Sequence, residues 1–289
     1  MLRLDRFAAL YVVAPWRRCT SASDAAIPVL MYHSVSDAPE THIAPYFQTR
    51  TSPAVLGSHL QWLRENGYRS IHLEDLPSLL DGHAPFSQRL VCITFDDGFQ
   101  DFYTAAAPLL AEHGFRATMF LPSGFVKHTR ASFKDQPCLT WNEVNELRRL
   151  GMRFGSHTVS HPRLHGMPWA QIQQELELSR KALEDQLGER VATFAYPFAY
   201  PSADSAFVER FEDLLQRTGY QLNVTTEVGR AQPGCNPLRV PRLPVNSCDD
   251  RHLFACKLAG AYDWLERPQR LLKHCKRWLR GSAAPAIPA

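Results

Sequence analysis

The chain has no apolar run of 18 residues, so it offers no stretch able to cross a bilayer as a helix. It has no Cys-x-x-Cys pair either. Its seven cysteines, at positions 19, 92, 138, 235, 248, 256 and 275, are odd in number and scattered. That excludes a zinc ribbon and a paired disulfide framework, and free thiols favour a reducing compartment. Neither sign of charge dominates: 32 basic against 29 acidic residues leave a net +3. Nucleic-acid recognition calls for a basic stripe rather than so small an excess, and no nucleic-acid partner is expected. With 45% hydrophobic and 21% charged residues the composition is that of an ordinary globular protein. No internal repeat or long linker divides the 289 residues, a length that suits one large α/β domain.

The two ends differ from the middle. Phe7 to Trp16 has the length of a signal-peptide apolar region and follows Arg3 and Arg6. Arg17 and Arg18 then stand where cleavage needs small residues, so residues 1–26 are expected to be a frayed or surface-packed segment, with export left open. Near the other end, Leu271, Leu272, Cys275, Trp278 and Leu279 form a helical stripe. Arg267, Arg270, Lys273, Lys276, Arg277 and Arg280 surround it, with no acid among them. Such a helix, within an extension over 249–280, could lie on an anionic membrane surface or pack on the domain with a solvated basic face. Residues 281–289, small residues and proline, read as a disordered tail. The expected compartment is the cytoplasm, at the membrane's inner face if that helix binds lipid.

Between the ends a strand-then-helix rhythm runs through the chain. Apolar runs at Ile27–Tyr32, Arg69–Leu73, Leu90–Phe95, Ala117–Leu121, Arg153–Gly155, Val191–Tyr196, Tyr220–Thr225 and Leu238–Val245 read as strands. Helical spacing intervenes at Leu56–Leu63, Phe102–Glu112, Thr140–Leu150, Ile172–Leu187 and Ala206–Arg217. Alternation of this kind predicts a parallel sheet covered by helices. Seven or eight strands predict its closure into a distorted (β/α)7–8 barrel, a single domain over 27–248. In such barrels the chemistry sits on the loops after the strand C-termini. His33, Asp96-Asp97, His157 and Tyr196-Pro197 all fall there.

Thr94-Phe95-Asp96-Asp97-Gly98 places two acids at the end of a buried strand, a costly arrangement unless a positive group compensates it. A metal would, although an Asp-Asp-Gly turn is also common. Ser156-His157-Thr158-Val159-Ser160-His161 carries two histidines four apart, a spacing that puts both on one face of a helical turn, as in zinc sites. Alone this is weak. With the acidic pair on a neighbouring strand end it is much stronger, since one carboxylate and two imidazoles leave open positions on Zn²⁺. Phe194-Ala195-Tyr196-Pro197-Phe198 reads equally as a strand exit stopped by proline.

In order and spacing, TFDDG, SHTVSH and FAYPF resemble the polysaccharide deacetylase family, also called the NodB-homology or carbohydrate esterase family 4 domain. The opening VLMYHSV looks like its circularly permuted poly-N-acetylglucosamine deacetylase subgroup. The resemblance covers residues 27 to 245. It implies a metal-dependent hydrolase that removes N-acetyl groups from an acetylated amino-sugar glycan or glycolipid. Asp97, His157 and His161 would hold the metal, Zn²⁺ or else Co²⁺. Asp96 would be the general base, His33 the general acid, and the backbone N–H of Tyr196 an oxyanion donor. Two departures stand out. Ala195 occupies the place of an Arg that usually pairs with the base, and Arg242 is the expected substitute. The late motif that carries the acid in unpermuted members lacks its His, which shifts that role to His33. Pro197 and Trp141 are candidate substrate contacts; core or helix-start packing suits Trp141, and Trp169 with it, at least as well.

Two alternatives share this site: a catalytically silent glycan-binding member of the fold, and an O-acetyl esterase. Retention of Asp96 with all three metal-ligand candidates speaks against the first. A paired-acid glycoside hydrolase fits poorly, because adjacent Asp96 and Asp97 point to different sides of a strand.

Overall fold

The computed structural model describes residues 4–15, 25–40, 43–81 and 89–263. Eight parallel strands build it: β1 (Val29–Tyr32), β2 (Tyr68–Ser70), β3 (Arg89–Phe95), β4 (Thr118–Leu121), β5 (Arg153–Ser156), β6 (Thr193–Ala195), β7 (Leu222–Val228) and β8 (Val240–Pro244). Around the sheet the order is β1-β8-β7-β6-β5-β4-β3, and β3 pairs again with β1. The result is a closed barrel of seven strands with surrounding helices. The β3 strand makes closure possible by serving two partners. Its first half, Arg89–Val91, pairs with β2, and its second half, Cys92–Phe95, pairs with β1.

Side chains alternate between the two faces of each strand. Val29, Cys92, Phe120, Ala195, Val224 and Val240 belong to one buried cluster, the filling of the barrel. Their neighbours Leu30, Ile93, Met119, Phe194 and Leu243 belong to the larger cluster between barrel and helices. Gly155 makes room inside. It pairs with Phe120 across β5 and β4, and a Cβ there would fall 2.5 Å from the Phe120 ring and 2.5 Å from Thr193 Oγ1.

Helix ends follow local chemistry. Ser52 Oγ accepts from Val55 N–H and Pro53 opens the helix Pro53–Glu65. Thr140 and Glu143 form a capping box at the start of Trp141–Arg149. The helix expected over Phe102–Glu112 is two pieces, a wide π-turn at Phe102–Ala106 and an α-helix at Ala107–His113. Pro108 explains this, because it has no N–H to return to the preceding turn. The strand expected over Arg69–Leu73 ends at Ser70, and Leu73–Asp75 is a 3₁₀ turn.

At the N-terminus, Leu4–Ala8 and Ala9–Val13 are helical, with Ala9 buried and Arg6 bonded to Asp250 at 2.5 Å. Among the described residues no helix is long and apolar enough to cross a membrane. Past the barrel, Arg251–Cys256 and Lys257–Ala261 are helical. The basic stretch 267–280 and the tail 281–289 lie outside the described residues.

A buried polar chain ties this C-terminal part to the first strand. Tyr32 Oη lies 3.1 Å from His59 Nδ1, and His59 Nε2 lies 2.6 Å from the carbonyl of Asp249. Lys257 donates to Asp249 Oδ2 at 2.6 Å, and the His59 ring stacks on Phe254 at 4.1 Å. Burial pushes the His59 pKa down to about 4, against the smaller pull of the Asp249 carbonyl and carboxylate. The folded protein therefore keeps His59 neutral where the unfolded chain protonates it, from about pH 6.5 down to about 4. In that window the unfolded state binds more protons, so stability falls as pH falls, by about 3 kcal/mol from this group. Urea unfolding of wild type and His59→Gln at pH 7 and pH 4.5 checks this. The variant is expected to lose less stability between the two pH values.

Candidate active site

The site lies at the C-terminal ends of β1, β3, β5, β6 and β8. Asp96 and Asp97 follow Phe95 directly. Asp97 (φ 76°) and Gly98 (φ 65°) are both left-handed, which folds the chain back sharply. The other non-glycine residues of positive φ among those described are Lys134, Asp135, Thr158, His161 and Phe198. Each belongs to this site or to a hairpin beside it. Strained backbone of this kind persists where the surroundings over-determine it, and it clusters at functional sites.

Histidines 157 and 161 do not share a helical turn. Thr158 (φ 69°) and His161 (φ 54°) break any helix, and the segment is an irregular loop. Its own hydrogen bonds pin it. Glu175 accepts from Val159 and Ser160 N–H at 2.8 and 3.0 Å, and Thr158 Oγ1 accepts from His161 N–H at 2.9 Å. The loop thus brings the two imidazoles to 4.6 Å between centroids. Asp97 Oδ1 lies 3.2 Å from His161 Nε2 and 3.7 Å from His157 Nε2.

Asp97, His157 and His161 each offer one ligand atom, all within 4.8 Å of one another and all on buried residues. Their hydrogen bonding suits a cation. His157 Nδ1 lies 2.7 Å from the carbonyl of Ala195, so it carries the proton and Nε2 keeps its lone pair. Asp97 Oδ1 is buried and among the described residues has no hydrogen-bond partner. Burial, then the neighbouring His157, pushes His161 down to about 3, so it is a neutral imidazole. Burial also lowers His157. Burial works to raise Asp97, but the surrounding His33, His157 and Lys134 hold it below the usual carboxylate range. A carboxylate with two neutral imidazoles is a donor set that zinc accepts with positions left open.

Asp96 points into the barrel and meets Arg242 from β8. The guanidinium donates to both carboxylate oxygens, at 2.7 and 2.8 Å, to Thr94 Oγ1 at 3.1 Å and to the carbonyl of Thr225 at 3.0 Å. Arg242 is 0% exposed and Asp96 2%. Burial works to raise the Asp96 pKa, but Arg242 overrides it and holds the carboxyl far below its ordinary value. His33, at the exit of β1, has Nε2 3.9 Å from Asp96 Oδ2.

Three expectations need correction. The N–H of Tyr196 donates to the carbonyl of Val224 at 3.0 Å, continuing the β6–β7 ladder, so it does not face the site. Two residues on, Phe198 (φ 58°) has left the ladder, and among the described residues its N–H has no acceptor. Trp141 is no substrate contact. It is 6% exposed and belongs to the main core cluster, because the capping box of Thr140 starts the helix there and turns its first side chain inward. Pro197 is buried too and serves the chain's exit from β6. Trp169 packs against Phe207 at 5.0 Å, under Arg210.

Sequence reading missed the hairpin residues Phe133 and Lys134. Phe133 packs on the His161 ring at 5.2 Å, and Lys134 donates to Asp97 Oδ2 at 2.8 Å. Phe133-Lys134-Asp135-Gln136 lacks the Asn-Gly or Asp-Gly that marks a tight hairpin, so nothing local signalled it.

The profile of the family described as Polysaccharide deacetylase matches residues 83–222. YxkH of Bacillus subtilis (strain 168), provisionally named a polysaccharide deacetylase, is 30% identical over 207 residues, covering 72% of this chain and 67% of that protein. The poly-β-1,6-N-acetyl-D-glucosamine N-deacetylase of Escherichia coli (strain K12) is 25% identical over 278 residues, covering 84% of this chain. The chain spans 40% of that relative's length. Among solved structures, the Streptococcus pyogenes deacetylase PplD in complex with acetate superposes with a TM-score of 0.70 at 26% identity, covering 81% of this chain and 98% of that one. IcaB from Ammonifex degensii, at 22% identity, shares the fold with a TM-score of 0.67, covering 81% and 97%.

Removing one partner of a buried ion pair strands the other. Arg242→Met is therefore expected to cost about 3–5 kcal/mol of stability in urea unfolding. Asp96→Asn added to Arg242→Met should recover part of that loss, since the double variant buries no unpaired charge.

Proposed function

The chain belongs to the polysaccharide deacetylase family, and on that premise we propose that it removes N-acetyl groups from an acetylated amino-sugar polysaccharide by metal-assisted hydrolysis. The observation that carries the reading is the pairing of two adjacent acids with opposite partners. Asp97 turns an unsatisfied oxygen to two neutral imidazoles. Asp96 is locked in its ionised form by a buried arginine. The E. coli relative, which acts on a poly-N-acetylglucosamine, supports a polymeric acetamido sugar as the substrate.

Asp97, His157 and His161 would hold the metal, zinc by the nature of the donors, with cobalt able to replace it. The chemistry a divalent cation would supply there is polarisation of the acetamide carbonyl and water acidic enough for a weak base to deprotonate. Asp96 is such a weak base, because Arg242 stabilises its carboxylate so strongly. In this reading Asp96 takes the water's proton while the C–O bond forms. Arg242 keeps both carboxylate oxygens in place. The N–H of Phe198, which has no acceptor among the described residues, donates to the charge growing on the carbonyl oxygen in place of that of Tyr196. His33 gives a proton to the nitrogen as the C–N bond breaks. The products are acetate and a free amino sugar.

Acetate release from poly-β-1,6-N-acetylglucosamine, a chitooligosaccharide and an O-acetylated glycan tests the reading and separates amide from ester hydrolysis. Asp96→Asn is expected to lower turnover about 10²- to 10⁴-fold with metal content retained. His33→Ala is expected to fall in the same range. His157→Ala should lose metal and activity together. Wild-type rates in Asp96→Asn, or acetate release that survives a chelator, would sink the proposal.

A further inference from the structure

One charged side chain at the site has no part in this chemistry. Residues 131–138 form a β-hairpin in which Ser132 pairs with Pro137 and Phe133 with Gln136. Its base is clamped: Arg130 makes two bonds of 2.6 Å to Glu143 and a third of 2.6 Å to the carbonyl of Cys138. Its flank is clamped as well, with Phe133 packed on Phe125 at 4.4 Å and on the candidate ligand His161 at 5.2 Å. At the tip, Lys134 (φ 50°) and Asp135 (φ 58°) are both left-handed, the backbone of a type I′ turn. Asn and Gly favour those positions, and a lysine there is strained. Its ammonium extends over the rings of Phe133 and Phe198 and donates to Asp97 Oδ2 at 2.8 Å.

We infer that Lys134 is a positioning residue of the metal centre: by holding Oδ2 of Asp97, it turns Oδ1 toward the two imidazoles. The inference rests on the metal dependence proposed above. The two oxygens divide the work. Oδ2 carries the lysine, and Oδ1, with no hydrogen-bond partner among the described residues, faces both Nε2 atoms. A carboxylate rotates easily about its last torsion and its two oxygens are equivalent, so a partner on one of them fixes the direction in which the other faces the imidazoles. Loss of such supporting partners typically costs about 10- to 100-fold in metal affinity. A like charge near a cation works in the opposite direction. Here the ammonium sits on the far oxygen with its side chain 42% exposed, so solvent screens the repulsion. Asp97, at 3%, is not screened, and orientation is the larger effect.

The test is Zn²⁺ affinity, read by competition with a chromogenic chelator on the full chain, for wild type, Lys134→Asn and Lys134→Arg. Asn tolerates the left-handed backbone and suits the turn, so the metal-free variant, melted in EDTA, should still unfold cooperatively, its Tm lowered at most by the lost ion pair to Asp97. That separates loss of the ammonium from loss of the fold. Wild type is expected to bind one Zn²⁺ per chain, Lys134→Asn to bind it at least tenfold more weakly, and Lys134→Arg to recover most of the difference. Equal or tighter binding by Lys134→Asn would overturn the inference while leaving the metal reading intact. A wild-type chain that binds no Zn²⁺ would overturn both.

Discussion

Arg242 reaches from the last strand of the barrel across β1 to the turn after β3, where it holds both oxygens of Asp96. Neither charge could sit there alone. A guanidinium or a carboxylate taken out of water costs several kcal/mol, and only a well-formed pair with its remaining donors satisfied offsets that. Thr94 Oγ1 and the carbonyl of Thr225 take those donors. The pair thus links the two strands that flank β1, and β1 itself ends in His33. Candidate base, base partner and acid come from three neighbouring strands whose register the barrel fixes. With Asp96 fully engaged by Arg242, its neighbour Asp97 is left to face the histidines, which gives two adjacent acids different chemistry.

The rest of the site is built against backbone preference. Among the described residues six that are not glycine have positive φ, and they gather at the loops of Asp97 and the two histidines, the Phe198 turn and the hairpin tip. Supports hold each strained segment in place. Glu175 binds the loop between the histidines, and Arg130 with Glu143 clamps the hairpin. Gly155, two residues before His157, lets Phe120 fill the barrel beneath the site. Rigid elements far from the chemistry therefore set the direction of each functional side chain, which is what a preorganised site requires.

Much of this could be read in the sequence. Buried strands such as Leu90–Phe95 are continuous apolar runs, and helices such as Trp169–Leu187 carry an apolar stripe, because burial selects composition at fixed periods. The barrel follows from counting those alternations. Asp97, His157 and His161 could be named as a candidate cluster because two motifs place a carboxylate and two imidazoles at two strand ends. Their reason for meeting could not: a helical turn was the natural expectation for a four-residue spacing, and a strained loop does the work instead. Pro108 was visible, but the π-turn before it depends on how the chain re-forms its hydrogen bonds. Tyr196 and Phe198 look alike as backbone donors, and only strand pairing shows which N–H is already used.

The sequence by itself determined the alternation behind the barrel and the identity of the charged groups, because composition, periodicity and residue chemistry are local properties; the family was legible through the resemblance of its motifs in order and spacing. Tertiary structure alone decided how those groups combine. It carried Arg242 to Asp96 across 146 positions and Lys134 to Asp97 across 37. It also ended the β6 ladder at Tyr196, so that among the described residues the N–H of Phe198 has no acceptor. Such partnerships depend on strand register, loop geometry and burial, and these are fixed only when distant segments pack together and each buried polar group must find its partner.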